Sequence, residues 1–451
     1  MSLGEDGYVS QPYVAWVDFW IQGGDSLTKV QGKPARLLSF EHTIRTAGAA
    51  GGGASEWRID LFDRDWLEIE EKVFDAVGRT SEGDEDKMIE FQYYYLGGGG
   101  ADPGSRKGLR SIRYSGIIQR CSPTFTAHGV SLTIEGFENW MNARSRKKTE
   151  SYETLDYLKG KKIHEIIHWI ISIRDDWETG YVEPTKEILD TSSFALSRED
   201  QVYFNNEEMD HLQFIKEKLI PRSTSAVSGK SGYVLYMEPI GKGKTRVHYQ
   251  VENVGPGEAH RQEGSEGIRT FRYIRDDKNT EVISFSPDII AEPYASMKGS
   301  NEVAIVAHEM STKRVKRISV DDDNTPEKTL YNPKSHDHIN TKPGQSAKVL
   351  HRPSRNFKEA ENLAQGWFYS EWIRNYQATL EIVGDPRIKP MQMVRVFLIL
   401  PDGRMHYTSG GYLVSEVVHK ISPGAWITTL KLLRGTSAKG YEATGDQANW
   451  G

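Results

Sequence analysis

The sequence predicts an α+β protein that is mainly β, with two antiparallel β modules separated by an α+β insertion. Three observations predict it. Short runs rich in Val, Ile, Trp and Phe, or alternating apolar with charged residues, fill both ends of the 451-residue chain and are joined by Gly-rich loops. Between them, over two segments, the apolar spacing shifts to a helical period. Finally, a strand, a Ser-Pro pair, an aromatic and a Thr/Leu/Ile strand follow one another near Cys121 and again near Ile421.

Taken in order, Tyr13 to Gln22 (YVAWVDFWIQ) has strand composition, and Trp57 to Asp65 alternates Ile59 and Leu61 with Arg58, Asp60 and Asp63. The loop Gly48 to Ser55 lies between them. MIEFQYYYL, the segment Leu109 to Ser122 and GVSLTIEGF add further strands, and residues 1–145 read as the first β module. Residues 146–265 read as the insertion. It holds a helix from Lys161 to Arg174 with Ile163, Ile166, Ile167, Ile170 and Ile171 on one stripe, and a second from Asn206 to Ile220, stopped by Pro221, with Met209, Leu212, Ile215 and Leu219 on one face. A hairpin turning at Gly241 to Gly243 follows.

Residues 266–355 read as connecting strands (Thr270 to Ile274, Glu281 to Phe285, Val303 to Ala307) and a mobile loop from Val320 to Arg355. Residues 356–434 open with an amphipathic helix, Asn356 to Arg374, and continue through TLEIV, MVRVFLI, GYLVSEVVHKI and AWITTLKLL as the second module. Residues 435–451 form a polar tail.

Composition narrows the function. With 57 Lys+Arg against 63 Asp+Glu the formal charge is −6, so no basic surface is expected to grip nucleic acid. The single cysteine, Cys121, excludes an intrachain disulfide and a multi-thiolate zinc site, and reads as a buried thiol. The start of the chain, MSLGEDGYVSQPY, has no basic region leading into an apolar core, and the longest apolar stretch reaches about eight residues against the ~20 that span a bilayer. Neither a signal nor a membrane anchor is expected.

Comparing the two modules sets Ser122 and Pro123 against Ser422 and Pro423, and RIDLFDRD against TLEIVGDP. Either the chain holds two copies of one small sheet module, or two unrelated hairpins share a Ser-Pro turn.

The layout of β module, α+β insertion, helix and second module, with TLEIVGDPRIKPMQMVRVF and GGYLVSEVVHKISPGAWITTLKLLR, resembles the central baseplate hub proteins of contractile phage tails and the hub domains of type VI secretion spikes. Gly384, Asp385 and Pro386 match the family's Gly-Asp-Pro turn, Gly411 and Tyr412 the opening of its penultimate strand, and His419 and Thr429 positions where His and Thr are frequent. Met391 departs from the pattern, standing where the family usually has glycine after Pro390. The resemblance implies two tube-like β-barrel or sheet modules per chain and a non-enzymatic homotrimer whose six modules form a pseudo-sixfold ring. It also implies assembly in the host cytoplasm into the virion baseplate, no cofactor, no stable membrane insertion and DNA passing through without specific binding. The implied partners are a tail tube or tube-initiator protein, a central spike, a tape-measure protein and baseplate wedges. Asp60, Asp63, Glu381 and Glu416 are the candidate lumen carboxylates.

The rival is a zinc metallopeptidase. His164-Glu165-Ile166-Ile167-His168 is an H-E-x-x-H on a helix, which would set two imidazoles on one side with Glu165 as general base and Glu187 as a third ligand. A hub with added peptidase activity combines the two. The same histidines flank the isoleucine stripe, where a partly exposed surface is the plain alternative. His336-Asp337-His338 in the loop, the basic run Arg144 to Lys148 and the cluster Trp367, Phe368, Tyr369 and Trp372 read as solvated or packed rather than ligating. Gly97 to Gly100 lacks the Gly-Lys-Ser/Thr of a phosphate loop.

Overall fold

The computed structural model describes residues 14–23, 26–29, 37–48, 55–64, 88–96, 109–138, 161–186, 211–227, 229, 232–251, 269–274, 281–289, 302–309, 314–321, 347–351, 376–401, 403–406, 408–423 and 425–434. In chain order the strands are β1 (Val14–Gly23), β2 (Ser26–Lys29), β3 (Leu37–Arg45), β4 (Ala47–Gly48), β5 (Glu56–Asp63), β6 (Met88–Leu96), β7 (Tyr114–Thr126), β8 (Gly129–Glu138), β9 (Trp177–Val182), β10 (Tyr233–Gly241), β11 (Lys244–Val251), β12 (Arg269–Ile274), β13 (Val282–Ile289), β14 (Glu302–Glu309), β15 (Arg314–Asp321), β16 (Ala347–His351), β17 (Tyr376–Val383), β18 (Met393–Ile399), β19 (Gly410–Ser422) and β20 (Ala425–Arg434). The fold is mainly β. A 13-stranded sheet has the order β13-β17-β20-β19-β3-β5-β8-β7-β6-β1-β2, with β18 paired to β19 and β12 to β18. It is antiparallel except for the β12–β18 pair.

Register exposes an internal repeat. β7 and β19 are each 13 residues long, begin 296 positions apart at Tyr114 and Gly410, and are bulged at the same place, between Ile118 and Arg120 and between Val414 and Glu416. β5 lies on β8 as β17 lies on β20, so that Arg58 faces Glu135 and Thr379 faces Lys431. That is the alignment of RIDLFDRD with TLEIVGDP expected from sequence. β3 and β13 complete the two sets, bulged between Leu37 and Ser39 and between Val282 and Ser284. A side-chain bond repeats as well: Ser39 Oγ donates to Asp60 at 2.6 Å, and Ser284 Oγ to Glu381 at 2.8 Å. Bulges re-aim a strand at a fixed point, and agreement at two bulges is hard to obtain from unrelated hairpins.

The Ser-Pro match is corrected by this register. Ser422 ends β19 and Pro423 lies in the turn, whereas Ser122 and Pro123 lie inside β7, whose hairpin turns later at Ala127 and His128. β12 and β13, expected to be connecting strands, are hydrogen-bonded to strands of the second module. Within the expected loop Val320 to Arg355, β16 pairs in parallel with β14, and the end of β15 pairs with its start. Five residues paired to a distant strand leave no local periodicity to detect.

Packing follows the alternation of the strands. Phe19, Phe40, Trp57, Ile59, Phe91, Leu132 and Ile134 fill the first module's core, and Phe271, Leu380, Ile382, Val396, Val417 and Leu430 the second's. In the insertion, helix α1 (Ile163–Ser172) buries Ile163, Ile166, Ile167, Ile170 and Ile171 against the mixed four-stranded sheet β4-β10-β11-β9, as the stripe predicts. Each such side chain contributes about 1.5–3 kcal/mol. Helix α2 (His211–Phe214) continues through a π turn, Ile215–Leu219, and a 3-10 turn, Ile220–Arg222, burying Leu212, Ile215 and Leu219. Gly241, Lys242 and Gly243 turn the β10–β11 hairpin with positive φ. Met209, the helix Asn356 to Arg374 and the tail 435–451 lie outside the described residues.

Candidate assembly interface

The two modules are joined edge to edge. The second half of β19 pairs with β3, from Glu416 opposite Arg45 to Ile421 opposite Phe40. On the polar face Arg45 donates to Glu416 at 2.6 Å and reaches Glu56 at 3.0 Å, and Lys420 lies 3.4 Å from Glu41. On the core face His42 stands opposite His419, both fully buried. His42 Nε2 is 2.7 Å from Glu138 and its Nδ1 3.3 Å from the Tyr93 hydroxyl. His419 Nδ1 is 2.9 Å from Thr428 Oγ1, and Trp426 Nε1 donates to it at 3.4 Å. Because Nδ1 accepts, the proton sits on Nε2, which has no partner among the described residues. Burial, reinforced by the neighbouring His42, holds the His419 imidazole down at about 3, so it is neutral.

The Gly-Asp-Pro turn braces this seam. A Cβ on Gly384 would fall 2.2 Å from the Trp426 ring, so the close approach requires glycine. Asp385 is buried; burial alone would raise its pKa, but bonds from Arg387 at 2.9 and 2.7 Å and the charge of Arg269 at 3.3 Å hold it below the usual range. Met391 adopts φ +67°, so the turn after Pro390 keeps its left-handed residue even with methionine in place of glycine. Its N–H donates to Val414 at 2.8 Å. Lys389 pairs with Glu238 of β10, which also accepts from His248 at 2.9 Å, tying the turn to the insertion. The His248 bond outweighs burial and, with Lys389, holds Glu238 down at about 2.

His164 and Glu165 of the H-E-x-x-H segment bond within the chain. His164 Nδ1 accepts from the Thr185 backbone at 3.0 Å, and Glu165 accepts from the Lys162 N–H at 2.7 Å, capping its own helix. His168 is exposed. Among the described residues no three His, Cys, Asp or Glu side chains gather as a metal would need. Glu187, His336 to His338, Arg144 to Lys148, Gly97 to Gly100 and Trp367 to Trp372 lie outside the described residues. Cys121 is half-buried, and burial pushes its thiol up to about 11. No helix among the described residues is long and apolar enough to cross a membrane.

Sequence reasoning missed β3, the strand that makes the seam. The alternation of Phe40, His42 and Ile44 with Glu41, Thr43 and Arg45 is its signal, interrupted by the bulge at Leu38.

Of the four lumen candidates, Asp63 is corrected, since it is fully buried. Asp60 and Glu381 occupy equivalent positions on the polar face, and Glu416 joins them beside Arg45 and Lys431. Burial opposes the ionisation of Asp60, but hydrogen bonds from Arg58, Ser39 and Thr133 hold its pKa below the usual range.

Among solved structures, the tail protein from Neisseria meningitidis MC58 aligns over 93% of this chain and 96% of its own, at 10% identity and a TM-score of 0.54. This chain has the tail-protein fold. A chain of the Francisella PdpA–VgrG complex in its half-lidded form aligns over 94% of this chain and 58% of its own, at 9% identity and a TM-score of 0.53. The lidded form of that complex aligns over 94% of this chain and 53% of its own, at 8% identity and a TM-score of 0.52. No protein-family model and no curated protein matches the sequence. At these identities the likeness speaks of fold alone.

Proposed function

We propose that this chain is a structural, non-enzymatic hub of a contractile tail or related injection machine. Three copies close into a pseudo-sixfold ring between a sixfold tube and a threefold spike. The observation that carries the reading is the repeat itself: two modules with the same strand order and bulges, joined edge to edge, leaving β13 and the second half of β7 as the outer edges of that run among the described strands. A head-to-tail contact that closes makes a ring, and three chains of two modules give six positions. The likeness in fold to the Neisseria tail protein and to a chain of the PdpA–VgrG complex supports the same assignment.

In this reading the modules curl into tube-like barrel segments whose polar faces line a lumen for DNA or effectors. On that face of the eight-strand run, Glu41, Glu56, Asp60, Glu135, Asp288, Glu381 and Glu416 outnumber Arg45, Arg58, Arg120, Lys420 and Lys431. Each of those cations is within ion-pair distance of a carboxylate. Cations already paired offer a passing polyanion little counterion release. The partners are a tail tube or tube initiator and a central spike, with tape-measure and wedge proteins around them, and the place of action is the baseplate.

Copy number tests the proposal. Quantitative mass spectrometry of purified particles should find three copies, or about 150 kDa of a 51.1 kDa chain. Six copies, or one, would remove the ring.

A further inference from the structure

The ring reading leaves open which strands join neighbouring copies, and the repeat answers this. β7 is the counterpart of β19, and β13 of β3. Inside the chain, the second half of β19 is covered by β3. The equivalent half of β7, Arg120 to Thr126, has β8 on one side and no described strand on the other; β13 has β17 on one side and none on the other. Residues 123–128 of β7 and its turn are all exposed, so this end of the strand projects beyond the core on both faces. We infer that β7 of one copy takes β13 of a second copy in the register of the β19–β3 seam, placing Phe125 opposite Phe285, Thr124 opposite Ser286, and Pro123 opposite Pro287.

The proline pair makes this seam unlike the one within the chain. Thr126 faces Gly129 across a two-residue turn, so Thr126 and Thr124 spend their backbone groups on β8, and Phe125 and Pro123 aim theirs away from β8. In the second module the bond from Val383 N–H to the Glu281 carbonyl fixes the parity, so that Ser286 bonds to β17 and Phe285 and Pro287 face outward. The residues in the places of Pro123 and Pro287 are His419 and His42, which stand opposite each other in the intrachain seam. Both N–H groups of that exchange are therefore absent from the intermolecular seam, and two pyrrolidine rings meet where two hydrogen bonds would form. A proline on each edge also blunts it against unrelated strands before assembly. The ring would then alternate hydrogen-bonded seams within chains and proline-interrupted seams between them, and it would open at the latter.

Thr124 and Ser286 would form a non-hydrogen-bonded pair, whose Cβ atoms come close enough for a disulfide. The test places Thr124→Cys and Ser286→Cys in the full chain carrying Cys121→Ser, oxidises it and separates it on a non-reducing gel. Covalent dimers and trimers are expected, and only traces from the slipped pair Thr124→Cys with Asp288→Cys. Chains that associate by light scattering yet do not cross-link at 124 and 286 would overturn this seam and leave the ring standing. Three copies absent from the particle would overturn the ring reading itself. A second variant, Pro123→Val with Pro287→Val, should tighten association by about ten-fold or more, because it restores both donors; unchanged or weaker association would refute the proline opposition.

Discussion

His42 faces His419 across the strand pair that joins the two modules, with no water-exposed surface on either ring. In the native chain His419 titrates at about 3, against about 6.5 for an unfolded histidine. The native state therefore binds fewer protons between those values, and stability is complete above 6.5 and lost as pH falls. Unfolding free energy should drop by roughly 1.5–2 kcal/mol between pH 6.5 and pH 5. Urea titrations across that range measure it, and His419→Gln should flatten the profile even if it lowers stability overall. An unchanged slope in that variant would assign the acid sensitivity elsewhere.

Gly384→Ala should destabilise the second module by about 1–3 kcal/mol, since a methyl group there overlaps the buried Trp426 ring. The urea midpoint should fall with the slope unchanged. Trp426→Leu combined with Gly384→Ala should show less than the sum of the single losses, because the overlap disappears with the indole.

Glu238 is held at about 2 by His248 and Lys389, against an ordinary value of 4.5, so its contribution is present above pH 4.5 and lost as pH falls toward 2. Lys389 is partly exposed, which limits the pair through solvent screening. Glu238→Gln should loosen the turn more than the sheet: the Met391 amide, bonded to Val414, should exchange faster, while core amides such as Leu430 keep their protection.

Protein prepared without chelators should hold no stoichiometric zinc, and Glu165→Gln should cost only about 0.5 kcal/mol, the worth of a helix cap. One zinc per chain, accompanied by hydrolysis that Glu165→Gln abolishes, would restore the metallopeptidase.

Legibility from sequence tracked local period. The stripe of α1 and the alternation of β5 and β8 were readable because one face of each meets a core. The alignment of Arg58 with Thr379 was readable because both strands alternate between equivalent neighbours, β3 and β8 for β5 and β13 and β20 for β17. β3 was obscured by its bulge, and β16 by its distant partner. Pro123 misled for a physical reason: proline in a sequence usually signals a turn, but an edge strand tolerates it where the missing N–H points outward. The polar face was legible in type, through Asp60 and Glu381, while Asp63 shares the parity of Ile59 and Leu61 and is buried with them, so its charge and not its place in the alternation suggested the surface.

A lumen that must not hold a polyanion needs its cations neutralised, because each free Lys or Arg near a phosphate releases counterions and adds affinity. Lys431 lies 2.7 Å and Arg45 2.6 Å from the same carboxylate of Glu416, so one residue neutralises a cation on either side of the module seam. The assembled protein should show no measurable retention of a DNA duplex at about 0.15 M salt. Glu416→Gln frees Lys431 and leaves Arg45 with Glu56 alone, and Glu41→Lys adds another cation opposite Lys420. The double variant should bind DNA with an affinity that falls steeply as salt rises, and the single variants should fall between. If the variants assemble normally and still ignore DNA at low salt, the polar face does not line the channel.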